Sequence, residues 1–232
     1  MPGKFGDDYE HNRWFKDEIQ RVGYTQTRDA ITHHVLSDTS LEPTRILELG
    51  PGAGTWTKML IARFPDAYID LLDISKEMLA RSRKVVGENP HVSFNESDIL
   101  EWEPNGTYDF FFSSRVLEYI DDKKAFCAKI FSFLDTNGRG FLITKMPHYK
   151  RERFLGRAKG GLHQGQIVPG ALRDELHRAG FIDVDCYPVT MTVPFLHSSK
   201  ANMWASKLFD KWTLGIVGMF FAESYCVIFR KP

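Results

Sequence analysis

The sequence predicts an α/β protein built on a doubly wound, mostly parallel sheet with helices on both faces. Three observations predict it. From Arg45 onward, short apolar runs alternate with amphipathic segments of helical period. The stretch Ile46-Leu-Glu-Leu-Gly-Pro-Gly-Ala-Gly-Thr-Trp-Thr57 reads as a strand, a glycine turn and the start of a helix. A chain of 232 residues with 43% hydrophobic content suits one domain with a sizeable core.

The elements follow in order. Residues 8–37 read as helical, with Trp14, Phe15, Ile19 and Val22 near helical spacing, and Gly23 is expected to break them into two pieces. Ser37 to Thr44 is a turn-rich connector. Arg45–Leu49 is the first strand and Thr55–Phe64 the first core helix, stopped by Pro65. Tyr68–Leu72 is a strand, and Lys76–Val86 a helix opened by Ser75 as N-cap. Val92–Asn95 is a short strand. Tyr108–Ser113, almost all aromatic, is a strand buried on both faces. Asp121 or Asp122 caps a helix running to Leu134, which Asn137-Gly138 should end. Gly140–Lys145 is a strand, Pro169–Ala179 a helix closed by Gly180, and Phe181–Val193 and Ser224–Arg230 are the last strands.

The glycine turn narrows the ligand. A dinucleotide fingerprint needs glycines at its first, third and sixth places. Counting from Gly50, the sixth place is Thr55, so that fingerprint fails; no Gly-Lys-Ser/Thr follows, so a phosphate loop fails too. What remains is an acid, Glu48, before glycines at 50, 52 and 54. A carboxylate there suits the amino-acid end of S-adenosylmethionine and would repel a pyrophosphate.

With Asp73 at the end of the second strand and the run Asp73-Ile-Ser-Lys-Glu-Met78-Leu79, the chain resembles the class I S-adenosylmethionine-dependent methyltransferases. The resemblance covers residues 45–145. It implies a Rossmann-like, doubly wound, seven-stranded, mostly parallel sheet whose last strand is antiparallel; the residues themselves add N-terminal helices and a hydrophobic insertion before that strand. It implies S-adenosyl-L-methionine as cofactor and S-adenosyl-L-homocysteine as product. Glu48, Gly50, Gly52 and Gly54 would cradle the cofactor, and Asp73 would accept from the ribose hydroxyls. Ile74 and Met78 would pack on the adenine, and Asp98 and Ile99 would bond it, with Glu96 the nearby competitor. Ser113, Ser114 and Arg115 would face the methionine moiety. Many relatives carry Glu-His where this chain has Glu118-Tyr119, which puts a base at that position in doubt. Asp109, at the far end of its strand, is read as structural.

The whole chain is read as one domain: a helical cap (1–44), a cofactor core (45–145) and a substrate side (146–232). Thirty basic and thirty acidic residues balance, so a globally basic surface for nucleic acid is absent. Cys127, Cys186 and Cys226 lack metal-ligand spacing, and no metal is expected. Their odd count, with no apolar signal core at the N-terminus, points to the cytoplasm. Cys186 and Cys226 are expected to be buried thiols. The acceptor is expected to be a small molecule, methylated on a hydroxyl of a glycan, a lipid-linked glycan or a quinone-like compound. His163, before a Pro169-Gly-Ala-Leu172 helix, is the candidate base; a helix-entry hydrogen-bonding role is the competing reading. The basic stretch Lys145 to Lys159 reads as a solvated loop or as a holder of a substrate phosphate. The apolar insertion 194–223 reads first as a lid, then as a peripheral membrane contact or a homodimer surface. Two rival functions stay open: an RNA or protein methyltransferase using the basic loop, and a non-catalytic cofactor-binding scaffold.

Overall fold

Asp109 fixes where the sheet begins. In the computed structural model, which describes residues 14–147, 165–191, 219 and 222–232, its carboxylate accepts from the Thr44 and Arg45 amides at 2.7 and 3.0 Å and from Thr44 Oγ1 at 2.7 Å. This ties the entry of β1 (Arg45–Leu49) to that of β4 (Tyr108–Ser114), the structural role the sequence assigns it. The remaining strands are β2 (Tyr68–Asp73), β3 (Val92–Glu96), β5 (Leu134–Lys145), β6 (Ile182–Met191) and β7 (Ala222–Arg230). They form one seven-stranded sheet in the order β3-β2-β1-β4-β5-β7-β6. β3, β2, β1, β4 and β5 run parallel to one another, and β7 runs antiparallel to both β5 and β6.

Both faces of the sheet are buried, and the strand period of two sorts the side chains. Ile46, Phe110, Phe112 and Ile143 pack with Ile31, Val35 and Leu60 on one face. Leu47, Phe111 and Leu142 pack with Phe126, Ile130, Leu172 and Leu176 on the other. The first face is covered by α1 (Glu18–Ile31), α2 (Thr57–Arg63) and α3 (Lys76–Val86), the second by α4 (Lys123–Phe133) and α5 (Pro169–Ala179). Ser75 caps α3 by accepting from the Met78 amide, and Asp122 caps α4 by accepting from the Ala125 amide. Gly180 ends α5 at φ 109°.

Three expectations are corrected. Gly23 does not break the N-terminal helix: α1 runs unbroken through it, capped by Asp17, which accepts from the Gln20 amide at 2.8 Å. One interior glycine costs about 1 kcal/mol relative to alanine, and burial of Val22 and Ile31 offsets it. Asn137-Gly138 does not end α4. The helix stops at Phe133, and Leu134 already pairs with Tyr108 in the sheet. The Phe131 and Leu134 carbonyls accept from Lys231 Nζ at 2.9 and 2.7 Å. The Asn-Gly pair instead forms an irregularity inside β5, with Asn137 at φ 64°. Cys226 is buried as expected, and so is Cys127, but Cys186 is only half-buried. Among the described residues, no helix is long and apolar enough to cross a membrane.

Candidate functional site

Strand order reverses between β1 and β4, and open sheets of this kind hold ligands beyond the carboxyl ends of their strands at that point. A cavity of about 550 Å³ lies there. Its floor is the turn after β1. The Gly50 amide donates to the Leu72 carbonyl at 2.8 Å, which draws the turn across the end of β2. Gly50, Gly52 and Gly54 all adopt positive φ, at 69°, 58° and 84°. A Cβ on Gly50 would lie 2.0 Å from Val116 Cγ2, so the turn packs directly on the segment after β4. A Cβ on Gly52 would meet nothing within 4 Å. The first glycine permits close packing, and the second leaves open space at the cavity wall.

Asp73 staples β2 to this turn. Its carboxylate accepts from the Ser75 amide at 2.8 Å, and the Gly52 amide also points at it. Burial pushes its pKa up, while those two amides pull it back down. Ile74 and Met78 line the cavity beside it, Ile74 largely exposed at 71% and Met78 buried. After β3, Asp98 and Ile99 line the wall. Asp98 accepts from the Leu100 amide at 2.8 Å, which turns the chain there. The competitor Glu96 is exposed and off the wall. Ser114 and Arg115 complete the wall at the end of β4. Ser114 is buried, and its Oγ has no hydrogen-bond partner among the described groups.

Three expected site residues lie beneath the wall rather than in it. Glu48 is 1% exposed, and its Oε2 has no partner among the described groups. Burial pushes its pKa up to about 8. The nearby Thr57 hydroxyl draws it slightly down but stands outside regular hydrogen-bond geometry. A glutamate in this strand must point to one face of the sheet, here into packed core. Gly54 backs onto Ser82, where a Cβ would sit 3.1 Å from Oγ. Ser113 donates to the Leu49 carbonyl at 3.0 Å and so binds β4 to β1. His163, the basic stretch 150–159 and nearly all of the insertion 194–223 lie outside the described residues.

The sequence reading names neither Trp56, Val116 nor Ile120 as wall residues, yet all three line the cavity with Tyr119. Trp14 closes one side. It packs edge-on to Trp56 and Tyr24 at 5.8 and 5.7 Å, and Tyr24 stacks on Trp56 at 5.3 Å. An aromatic following a helix-starting threonine was the available signal for Trp56. A second concavity, of about 570 Å³, opens at the amino ends of the strands. Two ion pairs lie within it, Asp38 with Arg139 and Asp183 with Arg230.

The chain is similar to known proteins in sequence and in fold. A family model described as a methyltransferase domain matches residues 46–138. A malonyl-[acyl-carrier protein] O-methyltransferase of Ilyobacter polytropus is 35% identical over 94 residues, which are 40% of this chain and 35% of that protein. A trans-aconitate 2-methyltransferase of Acidovorax ebreus is 28% identical over 204 residues, covering 83% of this chain and 74% of that one. The chain spans 35–40% of the length of the malonyl-[acyl-carrier protein] O-methyltransferases it matches. The crystal structure of N-methyltransferase NodS from Bradyrhizobium japonicum with S-adenosyl-L-homocysteine superposes with a TM-score of 0.63 at 16% identity. The match covers 98% of this chain and 93% of that one, a likeness of fold.

Proposed function

Because the chain belongs to the class I S-adenosylmethionine-dependent methyltransferases, we propose that it transfers the sulfonium methyl group to an oxygen of a small-molecule acceptor. The observation that supports this most is the cavity over the glycine turn. Its volume of about 550 Å³ falls in the range of small-ligand sites, roughly 300–1,000 Å³. The open space at Gly52 and the unpartnered Ser114 hydroxyl fit a polar ligand lying against the turn.

When bound, S-adenosylmethionine supplies a methyl group on a cationic sulfur that is an excellent leaving group. The chain's task is to orient, align and exclude water. Asp73, held by the Ser75 and Gly52 amides, presents its carboxylate to the ribose hydroxyls. Asp98 and the Ile99 amide hold the adenine edge, with Ile74 and Met78 packed on the ring. Ser114 offers its hydroxyl at the opposite end of the wall. Glu48, Gly54 and Ser113 support the turn from below and do not touch the ligand.

Both named relatives act on acids, malonyl and aconitate, so an acid displaces the glycan or quinone hydroxyl as the leading acceptor. The two chemistries make different demands. A carboxylate, with pKa near 4, is already ionised at neutral pH. A hydroxyl needs a base, and His163 is the residue proposed for that role. Transfer of labelled methyl from S-adenosylmethionine is measured on trans-aconitate and on neutral alcohols, for the protein and for His163→Ala. Acid methylation that survives His163→Ala is the expected result. Alcohol methylation lost in His163→Ala would move the acceptor back to a hydroxyl. Transfer to no oxygen acceptor would overturn the reading.

A further inference from the structure

The cavity wall is polarised along the sheet. Its acids, Asp73 and Asp98, follow β2 and β3, on one side of the glycine turn. Arg115 follows β4 on the other side, and it is the single basic side chain of the wall among the described residues. Its backbone sits at φ 68°, a region that residues other than glycine rarely occupy. The other described non-glycine residues at positive φ, Asn137 and Asp183, are both off this wall.

The surroundings hold Arg115 in that conformation. Its amide donates to the Ile143 carbonyl in β5 at 2.8 Å. Its Nε lies 3.7 Å from Glu118 Oε1, and the Glu118 side chain is only 1% exposed. Glu118 Oε2 accepts from the buried Thr144 Oγ1 at 3.0 Å. A buried carboxylate anchored on β5 therefore aims a guanidinium at the wall from one edge. A planar guanidinium matches a carboxylate in a two-pronged fork, which a neutral hydroxyl cannot reproduce. The resemblance places Arg115 beside the methionine moiety, and that is the role that competes with acceptor recognition for this charge.

We propose that Arg115 selects acceptors that carry a carboxylate, and that Glu118 is the positioning residue that holds it at the cavity wall. This rests on the methyl-transfer reading. The selected acid lies on the β4 side of the cavity, away from Asp73 and Asp98. Arg115 reads its charge, and Glu118 with Thr144 keeps the guanidinium from swinging to solvent.

The test uses the whole chain saturated with S-adenosylhomocysteine and titrated with trans-aconitate in a calorimeter, alongside turnover on trans-aconitate and on neutral alcohols. Arg115→Gln should raise Kd and KM for the acid roughly 10- to 100-fold, the loss of a charge-assisted pair, well beyond any change in S-adenosylhomocysteine affinity or alcohol KM. Arg115→Lys should recover part of the acid affinity. Glu118→Gln should raise acid KM with kcat nearly unchanged. Arg115→Gly/Glu118→Gln removes both charges and suits the left-handed backbone, so it guards against a folding defect. A collapse of S-adenosylhomocysteine affinity in these variants would place Arg115 on the cofactor and overturn the proposal. Acid and alcohol affinities falling together, or transfer to alcohols alone, would also overturn it while leaving methyl transfer standing. No transfer to either class would remove the reading on which it rests.

Discussion

Replacing Gly50 with alanine tests the geometry of the turn most sharply. Two separate costs follow from the structure. At φ 69° an L-residue is destabilised by about 1–2 kcal/mol. The new Cβ would also stand 2.0 Å from Val116 Cγ2, whereas carbon atoms pack at about 3.5–4.0 Å. Val116 or the turn must therefore give by well over an ångström. Overpacking of this kind costs about 1–3 kcal/mol, for a total of about 2–5 kcal/mol. Against urea slopes of about 1–3 kcal/mol/M, the denaturation midpoint should fall by roughly 1 M or more. Val116→Ala in the same chain removes the clashing methyl and should return the packing part but not the φ part. Gly23→Ala is the control, since it lies inside α1 with nothing within 4 Å of the added Cβ. It should stabilise by about 0.4–1 kcal/mol. A Gly50→Ala protein as stable as the parent, or no recovery with Val116→Ala, would refute the packing of the turn on the β4 segment.

Other perturbations separate the cofactor wall from its support. Asp73→Ala should weaken S-adenosylhomocysteine binding by about 1–3 kcal/mol through lost hydrogen bonds to the ribose; a folded variant with unchanged affinity in calorimetry would remove Asp73 from the ligand. Glu48 makes a pH prediction with a definite sign. Its pKa is raised from 4.5 to about 8 on folding, so the folded state binds that proton more tightly than the unfolded chain. Stability should therefore fall as pH rises from about 4.5 to 8 and level off beyond. Urea denaturation across that window should show a shallower slope for Glu48→Gln than for the parent; equal slopes would mean that Glu48 is not the group responsible.

Much of the fold was legible because local chemistry and tertiary placement agree. Ser75 and Asp122 cap helices from sequence positions where only an N-cap makes sense, and Gly180 ends α5 with the positive φ its lack of a Cβ allows. The failures came where a distant group overrode a local signal. Lys231 takes the Phe131 and Leu134 carbonyls where α4 gives way to β5, and Asn137-Gly138 falls inside that strand. Core burial carries α1 through Gly23. At the site, spacing alone left Asp98 and Glu96 as rivals, and only the direction of the loop after β3 separates them. The type of Glu48 suits a ligand amine, and spacing does not reveal that strand alternation turns its side chain into the core. The Arg115–Glu118–Thr144 arrangement could not be read at all. It joins the ends of β4 and β5, twenty-six residues apart from Glu118 to Thr144, through a backbone conformation that no motif encodes.

The central claim is that the cavity over the Gly50–Gly54 turn holds S-adenosylmethionine. Calorimetric titration of the protein with S-adenosylhomocysteine, with NADH as the control, tests it most directly. The account predicts saturable one-to-one binding of the first and none of the second. Absence of S-adenosylhomocysteine binding by the folded protein, or equal binding of NADH, would contradict it.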